Sequence, residues 1–379
     1  MRHAPFAALI HILYADSHYE GAHRDWIDSY TARSQHHFTR LTMPGGDWRW
    51  RIQGGAIHLA NQFLARRETL APIDLVLLNG MVSAPVFLAC TRPYLDTLPV
   101  AIYIQENQLN YPQEGFIWSN GAIVQVTSAY IADRVLFNGP YLKDDFLRSL
   151  KVFLDERGDY TDDILERVAA KCGILLRGIN LKDRFGDPVL DPPPPKKPVT
   201  FLWNHRWAYE KGIDDFAIAL RQLHAEQIPF QVILAGHPWD RAELVENLLQ
   251  ELGERVILSG LLEGQNYGDA LRKADVMVAC SKNEPLGVSM IEAIYMGCLP
   301  LLPARGSFPT LLPSEHHDLL YDGSVEQLID RMRMLALNPA ARPGLAAIAA
   351  AYDWSNVTRQ YDQTFDNLTE NMRLRSQLR

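Results

Sequence analysis

The 379-residue sequence lacks the features that would indicate a disulfide-bonded, zinc-binding or membrane-spanning protein. It has only four cysteines, and no two of them form a Cys-x-x-Cys pair, which excludes the usual zinc cages and a disulfide framework. No apolar run approaches the ~20 residues needed to span a bilayer, and no small-residue cleavage site follows the apolar N-terminal segment. We therefore expect a cytoplasmic protein without stable membrane association.

Positive charge is also in deficit. The chain carries 37 Lys and Arg against 45 Asp and Glu, for a net charge of −8. Non-specific nucleic-acid binding depends on an excess of Lys and Arg, so this balance excludes a general nucleic-acid coat and leaves local contacts open. The chain is 47% hydrophobic and 22% charged, a composition typical of globular proteins, and it is long enough for about two domains.

Several catalytic fingerprints are missing. The sequence contains no G-x-x-x-x-G-K-[ST], no G-x-G-x-x-G and no G-x-S-x-G, which removes the best sequence support for P-loop, dinucleotide and serine-hydrolase chemistry. It also contains no Asp-x-Asp, the pair with which many transferases hold a metal on a sugar nucleotide. A bound diphosphate would then be neutralised by protein cations and helix N-termini, and we expect no metal and no cofactor.

Short aliphatic runs alternate with helical patterns on both sides of a proline-rich segment, 191–198. This alternation predicts an α/β protein with two doubly wound, Rossmann-like domains, in which ligands bind beyond the carboxyl ends of parallel strands. We predict domains at 1–190 and 199–355, a linker at 191–198, and a C-terminal helix at 356–379 that packs on the N-terminal domain. The active site is expected in the cleft between the domains. Strands are predicted at 6–13, 74–78, 100–104, 123–126, 199–203, 230–234, 256–258, 276–279 and 299–302. Helices are predicted at 22–33 and 55–66, and from about 213, 241, 266, 287, 325 and 354.

Two cations follow the first strand after the prolines. Arg206 and Lys211 lie between that strand and a helix, where an Arg fork and a mobile Lys charge suit a diphosphate and its developing negative charge. The alternative interpretation is a solvated pair at a helix start.

A second motif, Asn283-Glu-Pro-Leu-Gly-Val-Ser-Met-Ile-Glu292, follows the strand at 276–279. Gly287 and Val288 would open a helix and present backbone N–H groups to a phosphate. Glu292 falls within an apolar run and needs a partner, which vicinal ribose hydroxyls would supply. Glu284 would accept hydrogen bonds from the transferred sugar. The alternative is that Glu284 caps the helix and Glu292 faces solvent.

Together these elements resemble the retaining GT-B glycosyltransferases of the family-4 type. Four segments are more particular and resemble the tRNA-queuosine α-mannosyltransferase family: 48–51 (WRWR), 105–112 (QENQLNYP), 203–207 (WNHRW) and 297–303 (GCLPLLP). The resemblance implies transfer of mannose from GDP-mannose to the queuosine in the anticodon of tRNA-Asp. Gln105 stands where that family usually has His, and an amide cannot titrate near neutrality, so a general-base role is excluded there.

We assign roles on this basis. The expected catalytic residues are Arg206, Lys211 and Glu284. The expected donor-binding residues are Gly21, Asn204, Arg206, Lys211, Glu284, Leu286, Gly287, Val288 and Glu292. The expected acceptor-side residues are His23, Trp48, Trp50, Arg51, Gln105, Glu106 and Asn107. Trp48 and Trp50 would stack on unpaired bases of the tRNA, whereas the alternative for them is an amphipathic edge strand.

Two other functions stay open at this point. One is a related glycosyltransferase that uses another sugar nucleotide and a glycan, lipid or small-molecule acceptor. The other is a catalytically silent protein that binds nucleotide sugars or RNA, for which Gln105 is the only hint.

Overall fold

The computed structural model of the chain describes residues 9–110, 117–156, 163–195, 197–339 and 343–377. It divides into two compact units. The first comprises Met1–Gly178 with Val357–Arg379, and the second comprises Ile179–Asn356. Each unit is built on a six-stranded sheet whose neighbouring strands are parallel. Within the described ranges, no helix is long and apolar enough to cross a membrane.

The first sheet has helices on both faces, as parallel strands require. Its strands are β1 (His11–Tyr19), β2 (His37–Pro44), β3 (Leu75–Asn79), β4 (Val100–Ile104), β5 (Arg134–Phe137) and β6 (Cys172–Ile174), in the order β2-β1-β3-β4-β5-β6. The helices along this part of the chain are α1 (Gly21–Thr31), α2 (Trp48–Arg66), α3 (Ala84–Thr91), α4 (Ile117–Ile131), α5 (Pro140–Asp155) and α6 (Ile164–Ala169). Every residue of β3 and β4 is buried, so these two strands form the centre of the core.

The second sheet repeats this architecture. Its strands are β7 (Val199–Trp203), β8 (Phe230–Ala235), β9 (Val256–Gly260), β10 (Val276–Val278), β11 (Leu299–Pro303) and β12 (Leu320–Tyr321), in the order β12-β11-β10-β7-β8-β9. The remaining helices are α7 (Leu181–Phe185), α8 (Ile213–Ala225), α9 (Ala242–Leu252), α10 (Gly264–Lys273), α11 (Val288–Tyr295), α12 (Phe308–Leu311), α13 (Val325–Leu337), α14 (Leu345–Ala350) and α15 (Trp354–Gln377). The central strand β7 lies between β10 and β8, so the loops that follow these three strands meet at one edge of the sheet.

The largest error in the predicted elements is at 123–126, which is not a strand but the middle of helix α4. Ala122, Val126 and Ala129 are buried at helical spacing, so burial along this segment follows the period of a helix. The predicted strand at 6–13 is instead β1, and residues 6–8 lie outside the described residues. Strands β2, β5, β6 and β12 were not predicted.

The segment before the prolines belongs to the second unit, although the predicted boundary lies at 190. The backbone N–H of Lys182 donates to Asp353 Oδ2 at 2.9 Å, and the hydroxyl of Tyr295 donates to the carbonyl of Gly186 at 2.7 Å. These bonds attach residues 179–190 to the second unit, so the division between the units precedes the proline-rich segment. Lys196 within that segment lies outside the described residues.

From Val357 onward, helix α15 belongs to the first unit. The hydroxyl of Tyr361 accepts a hydrogen bond from Trp26 Nε1 at 3.0 Å, and Asp362 Oδ1 accepts one from the hydroxyl of Tyr30 at 2.8 Å. Trp26 also stacks on Tyr103, with 4.2 Å between the ring centroids. The C-terminal helix therefore closes an aromatic cluster of the first unit. Residues 378 and 379, the last two of the predicted helix, lie outside the described part of the chain.

Candidate active site

In the second unit, the loop after β7 carries Lys211 toward the end of β10. Lys211 ends a short 3-10 helix, and Gly212 follows it with φ +77°. A Cβ atom on Gly212 would lie 2.3 Å from the backbone oxygen of Cys280, the second residue after β10. Only glycine combines this close approach with this backbone conformation, so Gly212 fixes the position of the adjacent lysine.

Lys211 forms an ion pair with Glu284. Its Nζ atom lies 2.8 Å from Glu284 Oε2, and the other carboxylate oxygen accepts a hydrogen bond from the backbone N–H of Gly287 at 3.1 Å. Burial raises the pKa of Glu284, but Lys211 and the Gly287 N–H outweigh burial and lower this pKa below its ordinary value. Glu284 is therefore a buried carboxylate held at the start of α11, and not an exposed loop residue.

The N-terminus of α11 differs in one respect from the expectation. Gly287 has φ +85° and begins the helix, as predicted, but its N–H already bonds to Glu284. A phosphate would meet this N–H only in competition with the glutamate. Leu286 is buried beside it, and Val288, the first residue of the helix, is half-buried. Glu284 therefore binds the backbone N–H of the residue that precedes α11, while no side chain of the described residues caps the helix itself.

Glu292 is buried in α11 and has partners from the protein. Its Oε2 accepts a hydrogen bond from the hydroxyl of Tyr267 at 2.7 Å, and its Oε1 pairs with Arg184. The Tyr267 hydroxyl accepts in turn from Asn204 Nδ2 at 3.1 Å. The solvent-facing alternative for Glu292 is wrong. Sequence reasoning missed Arg184 and Tyr267, which lie on α7 and α10 with no motif to mark them.

Arg206 contacts residues other than Lys211 and Glu284. Its guanidinium donates to Glu210 at 3.1 Å and stands over the ring of Trp239 at 5.2 Å. The side chain of Arg206 is half exposed, with 50% of its surface accessible to solvent. The guanidinium is therefore open to solvent, whereas Lys211 is mostly buried.

His205 is a second residue that the sequence did not single out. It is buried, and its Nδ1 lies 2.9 Å from the hydroxyl of Ser289 in the first turn of α11. Burial, and then the charge of Lys211, lower the pKa of His205 to about 3. The imidazole is therefore neutral at physiological pH and contributes no charge to the site.

In the first unit, His23 is buried in helix α1, which begins at Gly21 with φ +48°. Asn79 Nδ2 lies 3.2 Å from His23 Nδ1 and 3.3 Å from Asp16 Oδ2. Gly21 was expected to bind the donor nucleotide and His23 the acceptor, and both lie where the chain leaves β1. Asp16, within β1, and Asn79, the last residue of β3, are further buried polar residues that the sequence did not reveal.

The segment after β4 has three residues with different environments. Gln105 is buried and its Oε1 accepts from Arg177 Nη1 at 3.2 Å. The side chain of Glu106 is exposed. Asn107 donates to Asp145 at 2.7 Å and to Ser149 at 3.1 Å, and its Oδ1 accepts from a backbone N–H of the same loop. Asn107 therefore holds the loop in place and does not face outward.

The Trp-Arg-Trp-Arg segment forms the first turn of helix α2, so the edge-strand alternative is wrong. Asp47 caps this helix by accepting from the backbone N–H of Arg49 at 3.1 Å. Trp50 is 62% exposed, and the guanidinium of Arg49 lies 5.0 Å from the ring centre of Trp48. Arg51 instead donates to backbone carbonyls, including that of residue 17 at 3.3 Å. Trp50 is thus available for stacking, whereas Arg51 is bound to the protein.

Among the described residues there is no group of three or more His, Cys, Asp or Glu side chains that would hold a metal ion. Residues 11–179 match the family model described as tRNA-queuosine alpha-mannosyltransferase N-terminal, and residues 191–351 match that of glycosyl transferases group 1.

Individual proteins give the same assignment. The chain is 28% identical to the tRNA-queuosine alpha-mannosyltransferase of Drosophila melanogaster over 81% of this chain and 82% of that protein. It is 25% identical to the GDP-mannose:cellobiosyl-diphosphopolyprenol alpha-mannosyltransferase of Xanthomonas campestris over 43% of this chain and 45% of that one. Sucrose-phosphate synthase from Thermosynechococcus elongatus superposes with a TM-score of 0.71 at 17% identity, covering 96% of this chain and 100% of that chain. The family models and the Drosophila relative confirm the family resemblance and glycosyltransferase activity, and the structural match confirms the GT-B fold.

Proposed function

We propose that this chain, a GT-B glycosyltransferase of the tRNA-queuosine α-mannosyltransferase family, transfers mannose from GDP-mannose to the queuosine in the anticodon of tRNA-Asp, with retention. The match of residues 11–179 to the N-terminal domain of that family carries the proposal, because it covers the half expected to bind the acceptor. The Xanthomonas relative, whose name specifies GDP-mannose, supports the donor. A tRNA acceptor also supports a cytoplasmic location.

The donor would bind to the second unit. Lys211 and Arg206 supply two positive charges for a diphosphate, and these charges become more important as the leaving nucleoside diphosphate gains negative charge. Glu292, oriented by Arg184 and Tyr267, would accept hydrogen bonds from the ribose. Glu284 would accept hydrogen bonds from the transferred mannose. Since these cations neutralise the diphosphate, we propose that the reaction needs no metal.

The acceptor would bind to the first unit. His23 and Gln105 lie at the carboxyl ends of β1 and β4, the edge at which doubly wound sheets bind ligands. Trp50 presents an exposed ring that suits stacking on an unpaired anticodon base, beside the partly exposed Trp48. The exposed carboxylate of Glu106 follows Gln105 directly.

The proposal is tested by incubating the protein with GDP-mannose and tRNA-Asp that bears queuosine, followed by digestion to nucleosides and mass spectrometry. We expect queuosine to gain one hexose, in EDTA as well as without it. GDP-glucose, UDP-galactose and tRNA with guanosine at the wobble position serve as substrate controls. An unchanged queuosine mass with folded protein would contradict the acceptor assignment.

A matched pair of arginine variants separates catalysis from folding. Arg206→Ala removes a cation from the expected diphosphate site, and we expect transfer to fall about a hundredfold or more. Arg221→Ala removes a half-exposed arginine of the same unit that pairs with Glu251, and should leave transfer unchanged. Equal losses in the two variants would contradict the role of Arg206.

A further inference from the structure

We propose that Arg177 and Asn79, two buried residues of the first unit, fix Gln105 and His23 as hydrogen-bond donors to oxygen atoms of the bound glycosyl substrate. The polarity of both side chains follows from the structure alone, and only the identity of the substrate rests on the proposed function. Arg177 and Asn79 are positioning residues in this scheme, because each acts through a neighbouring side chain.

Arg177 sets the orientation of the Gln105 amide. Its Nη1 lies 3.2 Å from the side-chain oxygen of Gln105. A guanidinium has only donors, so the amide atom that faces it must be the oxygen. The amide nitrogen Nε2 then points away from Arg177. It is buried, and none of the described residues accepts a hydrogen bond from it.

This buried N–H group indicates a ligand. Gln105 is only 6% exposed, so bulk water does not satisfy the amide, and a buried donor without an acceptor destabilises a fold. Asn138 reinforces the position by donating to the backbone carbonyl of Gln105 at 3.2 Å. The acceptor that fits this donor is an oxygen with a lone pair, such as a sugar hydroxyl or a phosphate oxygen.

Asn79 sets the proton position on His23 in the same way. Its Oδ1 accepts from the backbone N–H of Met81 at 2.9 Å, and its Nδ2 lies 3.3 Å from Asp16 Oδ2, which can only accept when ionised. Both contacts identify Nδ2 as the donor. Because Nδ2 also lies 3.2 Å from His23 Nδ1, that ring nitrogen must be the acceptor. A neutral His23 therefore carries its proton on Nε2.

The guanidinium of Arg177 bonds to Gln105 and also to the residue before His23. Arg177 Nη2 donates to the backbone carbonyl of Ala22 at 2.8 Å, directly before His23, while Nη1 holds Gln105. The edge of the first sheet thus has two N–H groups of fixed polarity, and neither side chain retains a basic lone pair that would take a proton from the acceptor. A histidine at position 105 with Nδ1 toward Arg177 would present the same N–H group.

The first test compares substitutions of Gln105 in transfer from GDP-mannose to queuosine tRNA. Gln105→Ala loses the donor, and we expect kcat/KM to fall about tenfold. Gln105→Glu pairs with Arg177 but turns a carboxylate oxygen toward the substrate, so it should lose about a hundredfold although its Tm is preserved. Gln105→His should retain more activity than either variant. Full activity of Gln105→Glu would overturn the proposal.

The second test asks whether Arg177 acts through Gln105. Arg177→Met should lower kcat/KM about tenfold in the wild-type background and have little further effect in a Gln105→Ala background. Arg177→Lys, which keeps a donor, serves if the methionine variant does not fold. An Arg177 effect of equal size in both backgrounds, with Tm matched, would show a role unrelated to the glutamine and refute the proposal.

The third test needs no substrate. In protein with 15N-labelled histidine, the His23 signals, assigned with a His23→Gln variant, should show a protonated Nε2 and an unprotonated Nδ1. A protonated Nδ1 would overturn the assignment whatever the enzyme transfers. If the wild type hydrolyses GDP-mannose without modifying queuosine, the acceptor assignment fails, and the same variants are then compared by hydrolysis.

Discussion

The ion pair between Lys211 and Glu284 leads to a prediction that separates its structural from its catalytic contribution. The two side chains are 18% and 10% exposed, and their charged atoms are 2.8 Å apart. Replacing Lys211 with Met leaves the Glu284 carboxylate buried without its cation. Breaking a buried pair in this way costs about 3 kcal/mol, so we expect the second unit to lose about that much stability at pH 7.

The size of this loss is measurable. In a unit of 150–250 residues, 1 kcal/mol corresponds to about 2–4 °C in Tm, so Lys211→Met should lower the Tm of the second unit by roughly 6–12 °C. Adding Glu284→Gln removes the uncompensated charge and should recover most of the loss. The exposed pair of Lys151 and Asp155 is the matched control, and Lys151→Met should cost less than about 1 kcal/mol.

The pH dependence gives an independent check. The pKa of Glu284 is lowered in the folded protein, so its contribution to stability is present above the pKa of the unfolded chain and is lost as pH falls. The difference in Tm between wild type and Lys211→Met should therefore shrink in acid. Transfer should stay low in both the single and the double variant, because both lack the cation for the diphosphate. If Lys211→Met is as stable as wild type at pH 7, the pair does not form in solution and the reasoning is wrong.

Three further predictions concern other parts of the molecule. Tyr267→Phe removes the hydroxyl that orients Glu292 and should weaken GDP-mannose binding about fivefold to tenfold in calorimetry, whereas Tyr295→Phe, which loses a bond to Gly186, should not. The pKa of His205 is about 3 in the fold and 6.5 for a free side chain, so the folded protein loses stability as pH falls below 6.5. Between pH 8 and 5, the free energy of unfolding, measured by chemical unfolding, should fall by about 2 kcal/mol more in the wild type than in His205→Asn. Transfer to tRNA should fall as salt rises while hydrolysis of the donor alone changes little, and equal salt slopes would contradict phosphate contacts of the acceptor.

The fold was largely predictable because the central strands are short and mostly apolar. Strands β4 and β7 lie at the predicted residues, since buried parallel strands are apolar on both faces. Helix α4 was mistaken for a strand because a segment of four residues, three of them apolar, is too short to show a helical or a strand period. The start of α2 was missed although Asp47, a favourable capping residue, precedes it.

The site was predictable only where its residues are close in sequence. Glu284, Gly287 and Glu292 form one motif around the start of α11, and the pattern placed them on one turn and helix. Their partners arrive from other elements, Arg184 from α7 and Tyr267 from α10, and sequence spacing contains no information about which side chains meet across a sheet. Asn79 and Arg177 were missed for the same reason, since buried polar residues at strand ends look like ordinary loop residues.

The contacts of Lys211 also bear on how a donor would bind. Lys211 stabilises Glu284 in the free protein, so a diphosphate that attracts the same ammonium group weakens the hold on the carboxylate. Hydroxyl groups of the transferred sugar then replace part of what Glu284 has lost, because hydroxyls are donors to carboxylates. A nucleoside diphosphate without a sugar would leave the Glu284 carboxylate with fewer hydrogen-bond donors. A free sugar would reach the carboxylate while it is still paired with Lys211. In the proposed site the pair would therefore favour ligands that carry a diphosphate and a sugar together, as sugar nucleotides do.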